Sequence, residues 1–309
     1  MGEMLRNRVA VVTGAGRGIG RAVALAVAEQ GAKVVVNDFG VSPDGREPSS
    51  GPAFEVVEEI KKAGGEAVAS AESVADYEGA GRIIGRAVEA FGRLDILVTC
   101  AGILRDRMIF NMNEDEFDSV LAVHLKGSFN CARHAAPLMR QQRYGRIVTF
   151  SSGSGLFGNP GQANYGSAKG GISGLTKVLA RELGRHGVTA NAICPVAATR
   201  MTMTEAFQKA RELRKQKGII REESALRQLE NLKPEDVAPM VVFLASEQAA
   251  TVNGQFFLCA GNEISLISLP RPAKTIYKEG PWSLDELDEF VPLTLADGLI
   301  NPAPPEQKQ

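Results

Sequence analysis

Thr13-Gly14-Ala15-Gly16-Arg17-Gly18-Ile19-Gly20 is the stretch on which the fold turns. It follows Val9-Ala10-Val11-Val12, a short apolar run that reads as a buried strand, and it opens Arg21-Ala22-Val23-Ala24-Leu25-Ala26-Val27-Ala28, which reads as a helix. Glycines here let the backbone turn tightly and approach a pyrophosphate, while the helix N-terminus offers free N–H groups and a favourable dipole. Gly14, Arg17, Gly18, Ile19 and Gly20 are the candidate contacts. The next strand, Lys33 to Asn37, ends at Asp38, whose carboxylate can accept hydrogen bonds from both ribose hydroxyls of an adenosine. A glycine cluster alone would be an ordinary turn. Strand, helix, second strand and terminal acid in this order predict a dinucleotide site.

Working outward, strands and helices alternate with little interruption. Helices are predicted over 54–63, 76–91, 114–140, 163–185 and 234–245, and strands over 66–70, 94–99, 146–150, 189–194 and 255–259. Seven strands separated by helices predict an α/β protein, a single-domain Rossmann fold with a seven-stranded parallel doubly wound sheet over residues 5–264. Ligands of such a sheet bind outside the carboxyl ends of its strands. Three segments break the alternation. Residues 40–52, rich in Pro, Gly and Ser, form a loop beside the expected ribose. Residues 201–232 carry charged helical patterning where a substrate lid would stand, a surface helix being the alternative. Residues 265–309 form a Pro-rich C-terminal extension, with Ser283-Leu284-Asp285-Glu286 a capping box for a short helix stopped before Pro292. Leu284, Leu287, Phe290 and Trp282 are expected to dock that helix on the main body or on a neighbouring subunit.

The composition excludes several classes. With 35 Lys and Arg against 36 Asp and Glu, the formal net charge of −1 gives no electrostatic case for nucleic acid or a membrane surface. Cys100, Cys131, Cys194 and Cys259 are widely spaced in apolar elements, which fits small core residues in a reducing compartment. Three histidines make a metal site unexpected. There is no transmembrane run, and a first strand near Arg8 leaves no room for a signal peptide. A cytoplasmic location is the expectation.

A second motif, Asn164-Tyr165-Gly166-Ser167-Ala168-Lys169, lies in a predicted helix. Residues four apart share a helix face, so the Lys169 ammonium can sit beside the Tyr165 phenol. A phenol has a pKa of about 10, and lowering it by two units needs only about 2.7 kcal/mol from a nearby charge. Such a tyrosine could shuttle a proton to and from an alcohol.

Together, Thr13-Gly14-x-x-x-Gly18-x-Gly20, Tyr165-x-x-x-Lys169 and Ser152, thirteen residues before the tyrosine, resemble the short-chain dehydrogenase/reductase family over roughly residues 5–264. The resemblance implies a nicotinamide cofactor and hydride transfer between it and an alcohol or ketone. Tyr165 would be the general acid/base, Lys169 would lower its pKa and bind the nicotinamide ribose, and Ser152 would hold the substrate oxygen. Asp38 stands where NAD-preferring members carry an acid that repels the 2′-phosphate of NADP; Arg17 argues weakly for NADP. Other positions implied to touch the cofactor are Ser73 and Val74 after the third strand, Cys100-Ala101-Gly102 after the fourth, and Pro195 and Thr199 after the sixth. Cys100 departs from the family's asparagine. So does His124, where a catalytic asparagine usually orders a proton-relay water; the alternative is a satisfied core histidine.

Gly102-Ile103-Leu104-Arg105-Asp106-Arg107, His124-Leu125-Lys126-Gly127-Ser128-Phe129 and Gly161-Gln162-Ala163-Asn164-Tyr165 look like the dehydrogenase domain of type 2 multifunctional β-oxidation enzymes. That implies NAD-dependent oxidation of (3R)-hydroxyacyl-CoA thioesters or steroid-like alcohols by a homodimer or homotetramer. The alternatives are an NADPH-dependent 3-oxoacyl-thioester (acyl carrier protein) reductase and a non-catalytic dinucleotide-binding module.

Overall fold

The computed structural model describes residues 2–46, 49–198 and 232–302. Strand β1 (Val9–Thr13) is apolar on both faces: Val9 and Val11 join one buried cluster, Ala10 and Val12 another. A strand of that kind belongs inside a covered parallel sheet. β1 indeed lies between β2 (Lys33–Asn37) and β4 (Ile96–Thr99), parallel to both. The other strands are β3 (Ala67–Ser70), β5 (Gly145–Phe150), β6 (Val188–Val196), β7 (Phe256–Ala260) and β8 (Glu263–Ile267). The sheet order is β3-β2-β1-β4-β5-β6-β7-β8.

Helices cover both faces. α1 (Gly18–Glu29), α2 (Gly51–Lys62) and the helix Ala238–Ala245 pack on Ala10, Val12, Val34, Val36 and Ile96. α3 (Tyr77–Phe91), α5 (Gly127–Gln142) and α7 (Ala163–Leu183) pack on Val9, Val11, Val35, Leu97 and Ile147. The order reverses between β2-β1 and β4, which opens a crevice at the carboxyl ends of β1 and β4.

The parallel sheet expected from the sequence is present, with one addition. β8 pairs antiparallel to β7 across a two-residue turn, Gly261-Asn262, in which Gly261 takes a positive φ of 58°. Ile264 and Leu266 point outward at 52% and 63% exposure, so this edge strand lacks the continuous apolar run of the inner ones. It also straddles residue 265, where the sequence reading begins the extension.

The helix predicted over 114–140 is continuous but not uniform. α4 (Glu114–Leu121) starts at a capping box, Asn113 accepting from Glu116 N at 2.8 Å and Glu116 from Asn113 N at 3.0 Å. A π turn, Ala122–Lys126, then carries His124 before α5 begins.

In the extension, Ser283 and Glu286 form the expected capping box and start the helix Leu284–Leu293. Pro292 lies inside its last turn rather than beyond it, where no further helical turn depends on the missing N–H. Trp282 and Phe290 meet edge to face at 6.2 Å. None of the helix is fully buried; Leu284 is 84% exposed, while Trp282 and Leu287 are half-buried.

Candidate active site

Thr13 closes β1, and its Oγ1 accepts hydrogen bonds from the backbone N–H of Cys100 (3.2 Å) and Ala101 (3.3 Å). The loops after β1 and β4 are thereby joined at the crevice. Gly14 has φ +64°, and a Cβ on it would lie 2.6 Å from the Ala101 Cα, so both conformation and space demand glycine. Gly16 N donates to Asp38 Oδ2 at 2.7 Å, and a side chain at 16 would collide with that same oxygen. Asp38 Oδ1 accepts from Gly40 N at 2.6 Å. Each carboxylate oxygen retains a further acceptor site.

α1 begins at Gly18 with Arg17 as its N-cap; no side chain caps it and its first turn holds no acid. Its first N–H groups are therefore suited to an anion. A glycine cradle, an uncapped helix N-terminus and a carboxylate at the end of β2 fit a dinucleotide, with pyrophosphate at the first two and ribose at the third. Arg17 reaches across the mouth to Val41 O at 3.5 Å. Ile19 packs against the core beneath the loop.

On the far side of β1, the backbone at Val74 is held by Asn130 Nδ2 (2.9 Å), while Ser73 Oγ accepts from Ala75 N at 3.3 Å. Pro195 and Val196 end β6 paired with Cys259 and Ala260 of β7. Thr199 lies outside the described residues, as does the lid expected at 201–232 except for Leu232.

Ser152, Tyr165 and Lys169 come together beyond β5. Ser152 is the N-cap of α6 (Gly153–Phe157), accepting from Ser154 N at 3.2 Å, and its hydroxyl is hydrogen-bonded to the Tyr165 phenol. Lys169, one turn along α7, places Nζ 5.5 Å from the Tyr165 ring centroid and donates to Phe150 O at 2.6 Å. Burial depresses the Lys169 ammonium to about 8, against 10.5 ordinarily.

Tyr165 corrects an expectation. Its phenol is pushed up, not down: burial dominates, the Ser152 hydrogen bond opposes it, and Asp106 with the Cys100 and Cys194 thiols adds to the rise. The ammonium expected to lower it is itself desolvated and bonded to Phe150 O.

His124 joins the cluster from the π turn, at 2% exposure. Its Nε2 lies 3.1 Å from Ile103 N and 2.8 Å from Ile103 O, while Nδ1 is buried with no hydrogen-bond partner. An amide would meet the same two backbone groups with a separate donor and acceptor; the imidazole offers one nitrogen to both. The ring edge fills the space above Gly102, where a Cβ would lie 2.2 Å from Cε1, and it meets the Tyr165 ring edge-on at 5.2 Å. Burial and the neighbouring Lys169 hold the imidazole down at about 3, so it is neutral. Cys100 is raised to about 12 by burial and is an unreactive thiol.

Sequence reasoning missed Asn164. It is fully buried, donates Nδ2 to Arg105 O and Glu116 O (both 2.8 Å), and accepts from Tyr165 N at 2.7 Å. Gln162 is similarly placed, accepting from Ser154 Oγ (2.8 Å) and donating to Asp106 Oδ2 (2.8 Å). A polar amide at the start of a helix reads as a cap, so only its total burial distinguishes it.

A parallel sheet with a dinucleotide crevice and a hydroxyl, phenol and ammonium at its edge defines a dinucleotide-dependent oxidoreductase. Comparison narrows the class. A family profile described as enoyl-(acyl carrier protein) reductase matches residues 14–261. The chain is 43% identical over 296 residues to the hydroxyacyl-CoA dehydrogenase ChsB1 of Mycobacterium tuberculosis, covering 92% of this chain and 87% of that protein. It is 45% identical over 265 residues to peroxisomal multifunctional enzyme type 2 of Drosophila melanogaster, covering 86% of this chain and 41% of the relative, so it spans less than half of that enzyme. The crystal structure of a short chain dehydrogenase from Mycobacterium avium superposes with a TM-score of 0.80 at 47% identity, covering 95% of this chain and 96% of that one. The chain belongs to the short-chain dehydrogenase/reductase family and is an oxidoreductase of hydroxyl and keto groups.

Proposed function

We propose that the protein is an NAD-dependent dehydrogenase interconverting the hydroxyl and keto forms of a 3-hydroxyacyl-CoA thioester or a related steroid-like alcohol. The observation that carries this reading is the hydrogen-bonded Ser152–Tyr165 pair with Lys169 one helical turn away, beside the glycine cradle. The substrate class is supported by relatives bearing hydroxyacyl-CoA dehydrogenase and multifunctional enzyme names.

The nicotinamide, when bound, supplies or accepts the hydride. Ser152 and Tyr165 hold the substrate oxygen; Tyr165 Oη as phenol gives its proton to the ketone oxygen in reduction, and as phenolate takes the alcohol proton in oxidation. Lys169, tied to Phe150 O, steadies the phenol's surroundings, and neutral His124 fixes Ile103 through its backbone N–H and C=O and fills the space above Gly102. The Asp38 carboxylate would accept from ribose hydroxyls and repel a 2′-phosphate, which favours NAD. Of the alternatives, an NADPH-dependent 3-oxoacyl-thioester reductase is favoured by Arg17 at the glycine loop and by the family profile's acyl-carrier-protein description.

A second copy of the chain is expected on the face of α4, α5 and α7. Leu121, Leu125, Phe129 and Leu175 line an apolar groove of about 590 Å³ there, and Phe129 is 47% exposed. No helix among the described residues is long and apolar enough to cross a membrane, and all four cysteines are free thiols, which supports a cytoplasmic location. The test is a panel of (3R)- and (3S)-hydroxyacyl-CoA thioesters and hydroxysteroids assayed with NAD and NADP in parallel. Turnover with NADP exceeding that with NAD, or no turnover of any thioester or steroid, refutes the proposal.

A further inference from the structure

The loop after Asp38 is tied into the segment that carries the catalytic candidates. Residues 40–46 form a closed turn: Ser42 N donates to Arg46 O at 2.7 Å, Gly45 N to Ser42 O at 2.9 Å, and Ser42 Oγ to Asp44 Oδ1 at 2.6 Å. One end of this turn is fixed by Gly40 N on Asp38. The other side lies on the segment that leaves β4. Leu104 N donates to Pro43 O at 2.9 Å, Arg105 Nε donates to Asp44 O at 2.8 Å, and a side chain on Gly45 would meet Ile103 Cδ1 at 2.9 Å. Val41 packs in the apolar cluster that includes Ile103, Ala168 and the ring of Tyr165.

Arg105 is the junction. Its guanidinium holds Asp44 O on one side and pairs with Asp115 at the start of α4 on the other. Its carbonyl accepts from Asn164 Nδ2, and Asn164 Oδ1 in turn receives the Tyr165 N–H. A planar guanidinium can satisfy two directions at once with fixed geometry, whereas a lysine ammonium on a flexible stem holds one of them loosely. The Arg105 side chain is 14% exposed while Asp115 is 80% exposed, so the ion pair lies at the surface and the Asp44 O contact is the shielded part of the junction.

We propose that Arg105 is a positioning residue that couples the ribose-binding end of the cofactor site to the placement of Tyr165. The proposal rests on the reading of Asp38 and Tyr165 given above. Occupancy at Asp38 stabilises the turn at 40–46; the turn holds Arg105; and Arg105 holds Asn164 and the first turn of α7.

The test uses the full chain, with NADH affinity from fluorescence titration and the single-turnover rate on (3R)-3-hydroxybutyryl-CoA at saturating NAD. Arg105→Ala is expected to weaken NADH binding about ten-fold and to slow the single-turnover step about ten-fold, two effects that a lone surface ion pair would not produce together. Arg105→Lys keeps the charge beside Asp115 and is expected to keep the melting temperature while losing at least half of both effects' worth in binding and rate. In Asp38→Ala/Arg105→Ala the affinity is expected to match Asp38→Ala alone within about two-fold, because Arg105 acts through Asp38. NADH affinity and rate within two-fold of wild type in Arg105→Lys, or effects that multiply in the double variant, overturn the coupling; the lysine variant decides the matter if the alanine variant does not fold. Wild-type turnover in Tyr165→Phe, or tighter binding of NADPH than NADH by the wild type, instead overturns the underlying reading, since neither involves Arg105.

Discussion

Replacing Lys169 by methionine tests the electrostatics of the site against stability. Burial lowers the folded-state pKa of Lys169 from 10.5 to about 8. The unfolded chain therefore binds its proton more tightly, and stability rises with pH between the two values as that advantage fades. At pH 7 the penalty carried by the folded state is about 3 kcal/mol, and at pH 10 it is about 1 kcal/mol. Methionine has nearly the same length and no charge, so it escapes the penalty. It also leaves Phe150 O without its donor, a loss of about 1–3 kcal/mol at either pH. Lys169→Met is thus expected to equal or exceed the wild type by up to about 2 kcal/mol at pH 7 and to fall behind by a similar amount at pH 10. Reversible urea unfolding followed by circular dichroism at pH 7, 8, 9 and 10, at one protein concentration, measures both. Taking the difference between the two proteins cancels the titrating groups that do not feel the Lys169 charge. That difference should move by about 2–3 kcal/mol in favour of the wild type across the range. A difference constant within about 0.5 kcal/mol would mean that Lys169 is not desolvated, and the buried arrangement described for it would be wrong.

Four further outcomes are expected. Asp38→Ser removes the carboxylate proposed to face the ribose, so the ratio of kcat/KM for NAD to that for NADP should fall by about 100-fold or more, equivalent to about 2.7 kcal/mol of lost repulsion and lost hydrogen bonding. His124→Asn should keep activity within about five-fold because an amide supplies both partners of Ile103, whereas His124→Ala should cost ten-fold or more, about 1–3 kcal/mol for stranding a buried backbone pair. With the imidazole held at about 3, the wild-type kcat/KM profile should show no inflection from His124 between pH 5 and 7. Ser283→Ala should weaken the helix Leu284–Leu293 by about 1 kcal/mol, read as faster amide exchange at Glu286 and Leu287 with the sheet amides unchanged.

The parallel part of the fold was legible because burial on both faces leaves a plain signature. The runs Val9–Val12, Val34–Val36 and Ile96–Val98 are apolar without alternation. β8 was not legible for the converse reason: Ile264 and Leu266 are half or more exposed on an open edge, so the run Glu263–Ile267 has no burial to enforce a pattern. The π turn at Ala122–Lys126 left no trace either. It changes the hydrogen-bond period by one residue inside a helix whose apolar spacing looks regular, and His124 points where it does because of that change.

The chemistry of the site was legible as a set of residues and not as a field. Spacing brings Tyr165, Lys169 and Ser152 together because four residues along α7 make one turn, and the N-cap of α6 lies beside that turn. What spacing omits is the medium. An exposed ammonium near a phenol would lower its pKa, but the same packing that brings the two together strips water from both, so Lys169 falls to about 8 while Tyr165 rises. Desolvation and attraction have a common cause here, and in the protein alone desolvation wins. A phenol that is to exchange protons near neutrality therefore needs a favourable partner beyond Lys169. The Ser152 hydroxyl is the one this chain provides, since its hydrogen bond is the influence that pulls the phenol back toward its ordinary value. We propose for Ser152 a second task besides the proposed one of holding a substrate oxygen, and Ser152→Ala should move the alkaline limb of the pH–rate profile as well as the rate.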